Sequence, residues 1–252
     1  IMTTAFIIQA RMGSTRLPGK LLLPFCDGRT ILDIMVDKLR KVEDTDIIIA
    51  TTLNPIDMPI VAKAEKMGIK CYRGSENDVL QRFVDAAQYY GAKKIIRVCS
   101  DNPFIDVNEM RRLVAAAKTN REDYISFDVD GVPSILTHYG FWAEYVSLDA
   151  LLRIKELTKE PFYHEHVTNY IYKHPSEFDI KWLDVDKAIL NYKDIRLTID
   201  TPADMENASR LLHNLMKDGD SYPDIPQILQ FIQEHSEYSD LMRKEIQNNQ
   251  KK

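Results

Sequence analysis

The sequence predicts an α/β protein in which a mostly parallel sheet is sandwiched by helices and carries an inserted antiparallel lobe. Two observations predict this fold. Short apolar runs alternate with amphipathic stretches through the first half of the chain, as expected for strands joined by right-handed helical crossovers. After about residue 128 the alternation gives way to irregular, aromatic-rich segments, which indicate the inserted lobe.

The first half of the chain contains five predicted strands and four predicted helices. The strands are short and almost wholly apolar because helices cover both faces of a parallel sheet. Thr30 is placed to cap the first helix, and Gly68 and Gly91 are placed to stop the second and third. The strands cover residues 5–10, 46–51, 69–72, 94–99 and 124–127, and the helices cover 30–42, 57–67, 77–90 and 107–118.

Residues 129–194 are predicted to form the inserted antiparallel lobe. An apolar, aromatic insertion of this kind can also provide a dimer contact. Its predicted elements are strands at 141–146 and 178–185 and a helix over 164–173.

The rest of the chain is predicted to complete the same domain. The sheet resumes at residues 195–199, and Pro202, in the first helical position, opens a helix that reaches about residue 216. A chain of this length can bury a full core in one domain. We therefore expect a single domain over residues 1–235 and a polar, fraying C-terminal tail over 236–252.

The composition is that of an ordinary globular protein and argues against two classes of partner. Of the 252 residues, 44% are hydrophobic and 28% are charged. The formal net charge of −5 gives no general attraction to nucleic acid or to a membrane surface. No stretch approaches the roughly 20 apolar residues of a membrane-spanning helix. The three cysteines lack metal-ligand spacing and no secretion signal precedes the first predicted strand, so we expect reduced thiols and a cytoplasmic protein.

The loop after the first predicted strand carries three cations and no carboxylate. Arg11, Arg16 and Lys20 project from the carboxyl end of that strand, the edge at which ligands bind in open α/β sheets. Gly13 and Gly19 help the backbone to turn and let its N–H groups face outward, an arrangement that suits a polyphosphate. The loop matches neither the P-loop nor the G-x-G-x-x-G spacing. A surface turn with solvated cations is an equally favoured alternative on composition alone.

Two aspartates follow predicted strands at the same edge of the sheet. Asp101 comes after the strand at 94–99, and Asp200 comes after the strand at 195–199. A Mg²⁺ site needs one or two carboxylates together with phosphate oxygens and water. Taken singly, Asp200 is better explained as a helix cap and Asp101 as the start of a turn. Their occurrence together with the basic loop favours the metal site.

Three further clusters each have a functional and a structural interpretation. Residues 73–82 could contact a base edge, or could simply begin a helix capped by Ser75 or Asn77. Residues 164–168, His-Glu-His-Val-Thr, lack the spacing of a zinc-binding helix, and could contact a substrate or form a partly buried polar network. Residues 128–130, Asp-Val-Asp, have the D-x-D form with which many glycosyltransferases hold a metal and a nucleotide sugar.

Residues 7–20, Ile-Ile-Gln-Ala-Arg-Met-Gly-Ser-Thr-Arg-Leu-Pro-Gly-Lys, resemble the opening motif of the cytidylyltransferases that activate acidic sugars. These include the 3-deoxy-manno-octulosonate and acylneuraminate cytidylyltransferases. The form is most similar to the branch named for spore coat polysaccharide biosynthesis protein F. The similarity continues, in family order, at residues 73–82, 97–103, 140–144, 165–168 and 199–204.

The resemblance implies a Rossmann-like nucleotide-diphospho-sugar transferase fold, usually dimeric through the inserted lobe. It implies Mg²⁺-dependent transfer of CMP from CTP to a sugar-acid hydroxyl, with release of pyrophosphate, for surface polysaccharide biosynthesis. Arg11, Arg16 and Lys20 would contact the triphosphate, and Asp101 and Asp200 would hold the metal. The residues placed at the nucleotide are Gln9, Ala10, Arg11, Met12, Gly13, Lys20, Arg73, Gly74, Ser75, Asp78, Val79 and Arg82. The residues placed at the acceptor are Glu144, Glu165 and His166.

Two positions depart from the pattern of the octulosonate and neuraminate enzymes. Gln9 stands where they usually have proline, and Ser100 stands where a glycine usually precedes the metal-binding aspartate. Gln9 fits the spore coat branch, whose acceptors are less uniformly defined, so the identity of the acceptor stays open. Two other functions also stay open: a metal-dependent glycosyltransferase of related fold that uses Asp128 and Asp130, and a non-catalytic nucleotide-binding protein.

Overall fold

The computed structural model describes residues 3–119, 121–216 and 221–249. The strands are β1 (Thr3–Gln9), β2 (Pro24–Cys26), β3 (Arg29–Thr30), β4 (Asp46–Thr52), β5 (Lys70–Gly74), β6 (Ala92–Cys99), β7 (Tyr124–Val129), β8 (Val132–Pro133), β9 (Glu144–Ser147) and β10 (Ile180–Asp184). The helices are α1 (Ile31–Leu39), α2 (Met58–Met67), α3 (Val79–Tyr90), α4 (Val107–Thr119), α5 (Leu148–Leu157), α6 (Pro161–Glu165), α7 (Asn169–Lys173), α8 (Pro202–Met216), α9 (Ile225–Glu234) and α10 (Ser236–Asn248). Within these described ranges, no helix has both the length and the apolar character needed to cross a membrane.

The central sheet has eight strands, in the order β10-β7-β9-β6-β1-β4-β5 with β8 paired to β7. Four neighbouring pairs are parallel: β1 with β4, β1 with β6, β4 with β5, and β7 with β10. β9 runs antiparallel to both β6 and β7, and β8 runs antiparallel to β7. β2 and β3 form a separate hairpin. The predicted α/β class, a mostly parallel sheet flanked by helices, is confirmed.

β1 lies inside the sheet and is buried on both faces. Phe6 and Ile8 pack into one core together with α1 and α4, whereas Ala5 and Ile7 point to the opposite face and pack with α3 and α5. All four side chains are fully buried. Successive side chains of a strand face opposite sides, so a strand that is covered on both sides has no polar alternation. This explains the uninterrupted apolar run at the start of the chain.

The expected lobe of residues 129–194 is built differently from the prediction. β9 and β10 belong to the central sheet, and β10 runs parallel to its neighbour. The predicted helix over 164–173 is two short helices, α6 and α7, separated where Val167 has a φ of 39°. Beside this break, the Thr168 hydroxyl donates a hydrogen bond to Glu144 Oε1 at 2.7 Å. A buried tertiary contact therefore overrides the local helical preference.

Residues 195–199 are buried, as predicted, but form no strand in the part of the chain that the structure describes. Their N–H groups bond to loops instead of to a neighbouring strand. Ile199 donates to the carbonyl oxygen of Asp101 at 2.8 Å, and Leu197 donates to that of His138 at 2.9 Å. The prediction of a resumed strand is therefore wrong, because apolar burial alone does not distinguish a strand from a buried extended segment.

The C-terminal segment does not fray over most of its length. Residues 236–248 form α10, and residues 250–252 of the predicted tail lie outside the described part of the chain. Tyr238 and Met242 lie four residues apart on one face of α10 and are buried in the core that also contains α8 and α9. These buried apolar side chains dock a helix that the sequence alone predicted to fray.

Candidate active site

A cleft of about 310 Å³ opens at the carboxyl ends of β1 and β6. In open α/β sheets this is the edge at which ligands bind. The cleft brings together the three predicted triphosphate-binding cations and the two predicted metal-binding aspartates. Its lining residues include Gln9, Arg11, Arg16, Lys20, Asp101 and Asp200.

The basic loop after β1 is held in shape largely by its own backbone. The Met12 carbonyl oxygen accepts hydrogen bonds from the N–H groups of Ser14 and Gly19, both at 2.9 Å. Gly19 has a φ of 69°, a left-handed conformation that glycine adopts without strain. The Met12 N–H donates to Asp57 Oδ1 at 2.6 Å. The loop was expected to turn its backbone N–H groups outward, but those of Met12, Ser14 and Gly19 are bonded within the protein.

Asp57 is a residue of this site that the sequence analysis missed. Its side chain is buried, and its second carboxylate oxygen accepts a hydrogen bond from the Thr52 hydroxyl at the end of β4. The carboxylate thus ties the carboxyl end of β4 to the basic loop. The only available signal was an aspartate shortly after a strand, within Asn54–Asp57, which is typical of an ordinary turn.

Asp200 is surrounded by positive charge. Its Oδ1 lies 3.6 Å from Arg16 Nη2 and 3.7 Å from Lys20 Nζ. Its Oδ2 accepts a hydrogen bond from Arg196 Nη2 at 3.1 Å. Lys20 Nζ also donates to the carbonyl oxygen of Ile199 at 2.5 Å. These contacts hold the Lys20 ammonium group beside Asp200 at the cleft.

Arg196 is a buried arginine whose contacts fix the position of Asp200. Its Nε and Nη2 donate to the two carboxylate oxygens of Asp204, both at 2.8 Å. Burial alone lowers the pKa of Arg196, but the hydrogen bonds and charges of Asp204 and Asp200 outweigh burial and raise it. Asp204 Oδ2 also accepts the N–H of Asp200 at 2.9 Å. The start of α8 therefore anchors both the backbone and the side chain of Asp200.

The loop that carries Asp101 is held by a buried lysine. Lys38 Nζ donates to the carbonyl oxygens of Pro103 at 2.8 Å and Ile105 at 3.2 Å. Burial lowers the pKa of Lys38 to about 7, and the nearby charge of Asp106 partly opposes this effect. Among the residues that the structure describes, the Asp101 carboxylate has no hydrogen-bond or ion-pair partner, although it lines the cleft.

The donor set of Asp101 and Asp200 fits a hard divalent cation. Mg²⁺ prefers oxygen ligands and is usually bound by one or two carboxylates, with substrate phosphates and water completing its shell. Both carboxylates line the same cleft as the three cations of the basic loop. The pair is therefore suited to a cation that is bound together with phosphate groups.

Residues 73–82 join β5 to α3, and several of their polar groups are bonded within the protein. Arg73 donates from Nε and Nη2 to two carbonyl oxygens at the end of β4, at 3.1 and 2.9 Å. Asp78 caps α3 by accepting a hydrogen bond at 2.8 Å from an N–H of the first turn. The cap is therefore Asp78, and the interpretation with Ser75 or Asn77 in that position is wrong.

Arg82 has donors that its surroundings do not satisfy. Its side chain is fully buried and Nη1 donates to the carbonyl oxygen of Ser75 at 2.6 Å. Nε and Nη2 have no hydrogen-bond partner within the described residues. Burial and then the charge of Arg11 lower the pKa of Arg82 to about 10. A Cβ at Gly74 would lie 3.0 Å from both Arg82 Cγ and the Tyr72 ring. Glycine at this position therefore leaves space for the Arg82 side chain.

Glu144, which was predicted to contact the acceptor, is buried, with 1% of its surface exposed. Its carboxylate accepts hydrogen bonds from Arg97 Nη1 and the Thr168 hydroxyl, both at 2.7 Å, and from the Tyr124 hydroxyl. Arg97, which lines the cleft, also donates to Gln9 Oε1 at 3.3 Å. Glu144 therefore holds Arg97 in place at the cleft.

The other two predicted acceptor residues lie away from the cleft lining. Glu165 and His166 are exposed at the end of α6, and the His166 ring packs against Phe162 with a centroid distance of 4.6 Å. His164 of the same segment has its Nδ1 2.8 Å from Asp78 Oδ2, which links α6 to the start of α3. This segment therefore has at least one structural role.

The D-x-D segment covers the end of β7 and the start of the turn that leads to β8. Asp128 Oδ1 accepts the N–H of Gly131 at 2.6 Å, and Asp130 has a φ of 55°. Aspartate is common in such turns because its side chain bonds the nearby backbone and tolerates the left-handed conformation. Neither carboxylate lines the cleft described above.

The chain is similar to known proteins over most of its length. A family model described as cytidylyltransferase matches residues 5–236. The spore coat polysaccharide biosynthesis protein SpsF of Bacillus subtilis is 36% identical over 212 residues, which cover 82% of this chain and 85% of that protein. The structure of a cytidylyltransferase from Leptospira borgpetersenii superposes with a TM-score of 0.82 at 29% identity, over 94% of this chain and 97% of that one. A CMP:2-keto-3-deoxy-manno-octonic acid synthetase complexed with CTP has the same fold, with a TM-score of 0.63 at 16% identity over 84% and 99% of the two chains.

Proposed function

The chain belongs to the cytidylyltransferase family and is a nucleotidyltransferase, and from that premise we propose that it transfers CMP from CTP to a hydroxyl group of a sugar acid. The acceptor oxygen forms a bond to the α-phosphorus of CTP, and the bond from that phosphorus to the leaving pyrophosphate breaks. The hydroxyl proton is released to solvent. We propose that the product is used in polysaccharide biosynthesis, the process that appears in the name of the Bacillus subtilis relative.

The single observation that carries this proposal is the meeting of three cations and two aspartates in one cleft. Reactions of this type depend mainly on positioning the reactants and on stabilising the charge that develops on phosphate oxygens. Lys20 and Arg16 are held beside Asp200 at the carboxyl end of the sheet. There they would bind the triphosphate and stabilise the leaving pyrophosphate, and Arg11 would add a third positive charge.

Mg²⁺ is the proposed cofactor, with Asp101 and Asp200 as its protein ligands. When bound, such an ion supplies charge neutralisation on phosphate oxygens and makes a hydroxyl more acidic. The chain's own residues keep these ligands in place. Arg196 and Asp204 fix Asp200, and Lys38 fixes the backbone of the loop that follows Asp101.

The nucleoside is proposed to lie against residues 73–82, with Arg82 as the residue of greatest interest. Its Nε and Nη2, which have no hydrogen-bond partner within the described residues, could donate to an oxygen of the ribose or base.

Contacts of Glu165 and His166 with the acceptor stay a prediction. A homodimer also stays a prediction, to be tested by light scattering. Leu157, Phe162 and Trp182 are exposed apolar side chains of the segment over 129–194, which was predicted to provide the dimer contact.

A thermal-shift comparison of nucleotides tests the proposed substrate. In the presence of Mg²⁺, CTP at about 100 times its Kd adds roughly 2.7 kcal/mol to the free energy of unfolding. At roughly 2–4 °C per kcal/mol, the unfolding midpoint should rise by about 5–10 °C. ATP, GTP and UTP at the same concentration serve as controls and should raise it less. A larger shift with one of these three nucleotides would contradict the assignment of CTP.

The variant Lys20→Ala is expected to reduce the rate of pyrophosphate release by about 10²–10³-fold, the usual cost of removing one preorganised electrostatic group. The free energy of unfolding should fall by only about 1–2 kcal/mol, because the Ile199 carbonyl loses the Lys20 hydrogen bond but Asp200 keeps its contacts with Arg196 and Arg16. Lys66→Ala, at an exposed position of α2, is the matched control. Pyrophosphate release is measured with CTP, Mg²⁺ and a panel of sugar acids. Similar rates for Lys20→Ala and Lys66→Ala would overturn the role assigned to Lys20.

A further inference from the structure

α10 reaches the candidate active site from outside the region matched by the family model. That match ends at residue 236, whereas α10 covers Ser236–Asn248. The last turn of α10 contacts the site at two points, through Glu245 and Asn249. We propose that these two residues are positioning residues for the nucleotide site. The inference rests on the proposed function, since it assigns them the placement of a triphosphate-binding cation and of a metal-binding aspartate.

The helix is rigidly attached to the domain before it reaches the site. Tyr238 and Met242 are buried beneath it. Asn207 of α8 donates to the carbonyl oxygen of Tyr238 at 3.2 Å, and Asn214 of α8 donates to the Tyr238 hydroxyl at 2.7 Å. Because α10 is anchored to α8 by buried contacts, its last turn can hold other side chains in place.

Glu245 acts at the start of α8, next to Asp200. The Thr201 hydroxyl donates a hydrogen bond to Glu245 Oε2 at 2.8 Å and accepts one from the N–H of Asp204 at 3.1 Å. Thr201 and Asp200 both donate their N–H groups to Asp204 Oδ2, at 3.0 and 2.9 Å. Glu245 therefore sets the direction of the hydroxyl that caps α8, and through this cap it supports the backbone of Asp200.

Asn249 acts on the basic loop. Its Oδ1 accepts a hydrogen bond from Arg16 Nη1 at 2.5 Å. Its Nδ2 donates to the carbonyl oxygen of Glu245 at 3.0 Å, which turns the amide so that its oxygen faces Arg16. The Arg16 side chain is 51% exposed, and an exposed arginine loses considerable rotamer freedom when a ligand immobilises it. Asn249 restricts Arg16 beforehand and so reduces this entropic cost.

The test measures binding of CTP with Mg²⁺ to the full chain by isothermal titration calorimetry. Asn249→Ala and Glu245→Ala should each raise the Kd by about three- to tenfold, the usual net effect of losing a single hydrogen bond. Glu245→Gln keeps an acceptor oxygen for Thr201 and should bind like the wild type. Gln247→Ala and Glu237→Ala, at exposed positions of α10, are the matched controls and should also bind like the wild type.

A double-variant comparison separates positioning from a general structural effect. If Asn249 acts through Arg16, Asn249→Ala should raise the Kd in the wild-type background but not in the Arg16→Ala background. An unchanged Kd in Asn249→Ala and Glu245→Ala, or an equal loss in both backgrounds, would overturn this inference and leave the proposed function standing. A wild-type chain that does not bind CTP with Mg²⁺ would overturn the proposed function, and this inference with it.

Discussion

The variant Asp101→Asn is expected to lower the rate of CMP transfer by about 10²–10³-fold while leaving the thermal unfolding midpoint unchanged. Within the described part of the chain the Asp101 carboxylate has no hydrogen-bond or ion-pair partner, so removing its charge breaks no native contact. The substitution removes one of the two carboxylates that we propose for the metal. The loss corresponds to about 3–4 kcal/mol of transition-state stabilisation.

Pyrophosphate release with CTP and a sugar acid, measured over a series of Mg²⁺ concentrations, checks this expectation. Asp128→Asn is the matched control, because asparagine can still accept the hydrogen bond that Asp128 accepts from Gly131 in its turn. A near-normal rate in Asp101→Asn would remove Asp101 from the site. Sugar transfer from a nucleotide sugar that is lost in Asp128→Asn and kept in Asp101→Asn would instead favour the glycosyltransferase alternative.

The variant Arg97→Met is expected to lower the free energy of unfolding by about 3–5 kcal/mol, the usual cost of leaving one partner of a buried ion pair uncompensated. The Glu144 carboxylate would keep its hydrogen bonds from Tyr124 and Thr168 but would lose its only ion-pair partner in the described chain. The unfolding midpoint should fall by about 6–20 °C, at roughly 2–4 °C per kcal/mol.

A double-variant cycle checks the cause of this loss. Arg97→Met combined with Glu144→Gln should be more stable than the sum of the two single losses predicts, by about 1–3 kcal/mol, because no unpaired buried charge remains. Urea unfolding gives the free energies. Lys118→Met removes an exposed ion pair with Asp44 and should cost at most about 1 kcal/mol. Strictly additive losses would contradict the assigned coupling between Arg97 and Glu144.

Local signals in the sequence were sufficient to predict most helix ends. Thr30 caps α1 through a reciprocal pair of hydrogen bonds with Asp33, and Gly68 and Gly91 end α2 and α3 in left-handed conformations. Pro202 opens α8 as predicted. These features depend on residues within one turn of each other, so a short stretch of sequence contains the information that determines them.

Long-range contacts decided what local patterns did not indicate. Glu144, which was predicted to contact the acceptor from its position in a motif, is buried and bonds to Arg97, 47 residues earlier in the chain. Residues 195–199 have the composition of a strand but bond to loops around Asp101 and His138. A local sequence pattern does not indicate which distant residues a buried polar side chain will bond to. Nor does it indicate whether the backbone of an apolar run will bond to a strand or to a loop.

By itself, the sequence determined the fold class, most of the helices and strands, the family, and the clustering of Arg11, Arg16, Lys20 and Asp101 at one edge of the sheet. Parallel strands expose their carboxyl ends together, so loop residues that follow β1 and β6 meet there whatever the details of packing. Only the tertiary structure decided which polar groups face the cleft and which support it from behind. The buried segment before Asp200 forms no strand in the described chain, and it reaches the cleft because Ile199 bonds to the loop of Asp101. The roles of Asp57 and α10 also belong to this second class, because each depends on contacts between segments that are distant in sequence.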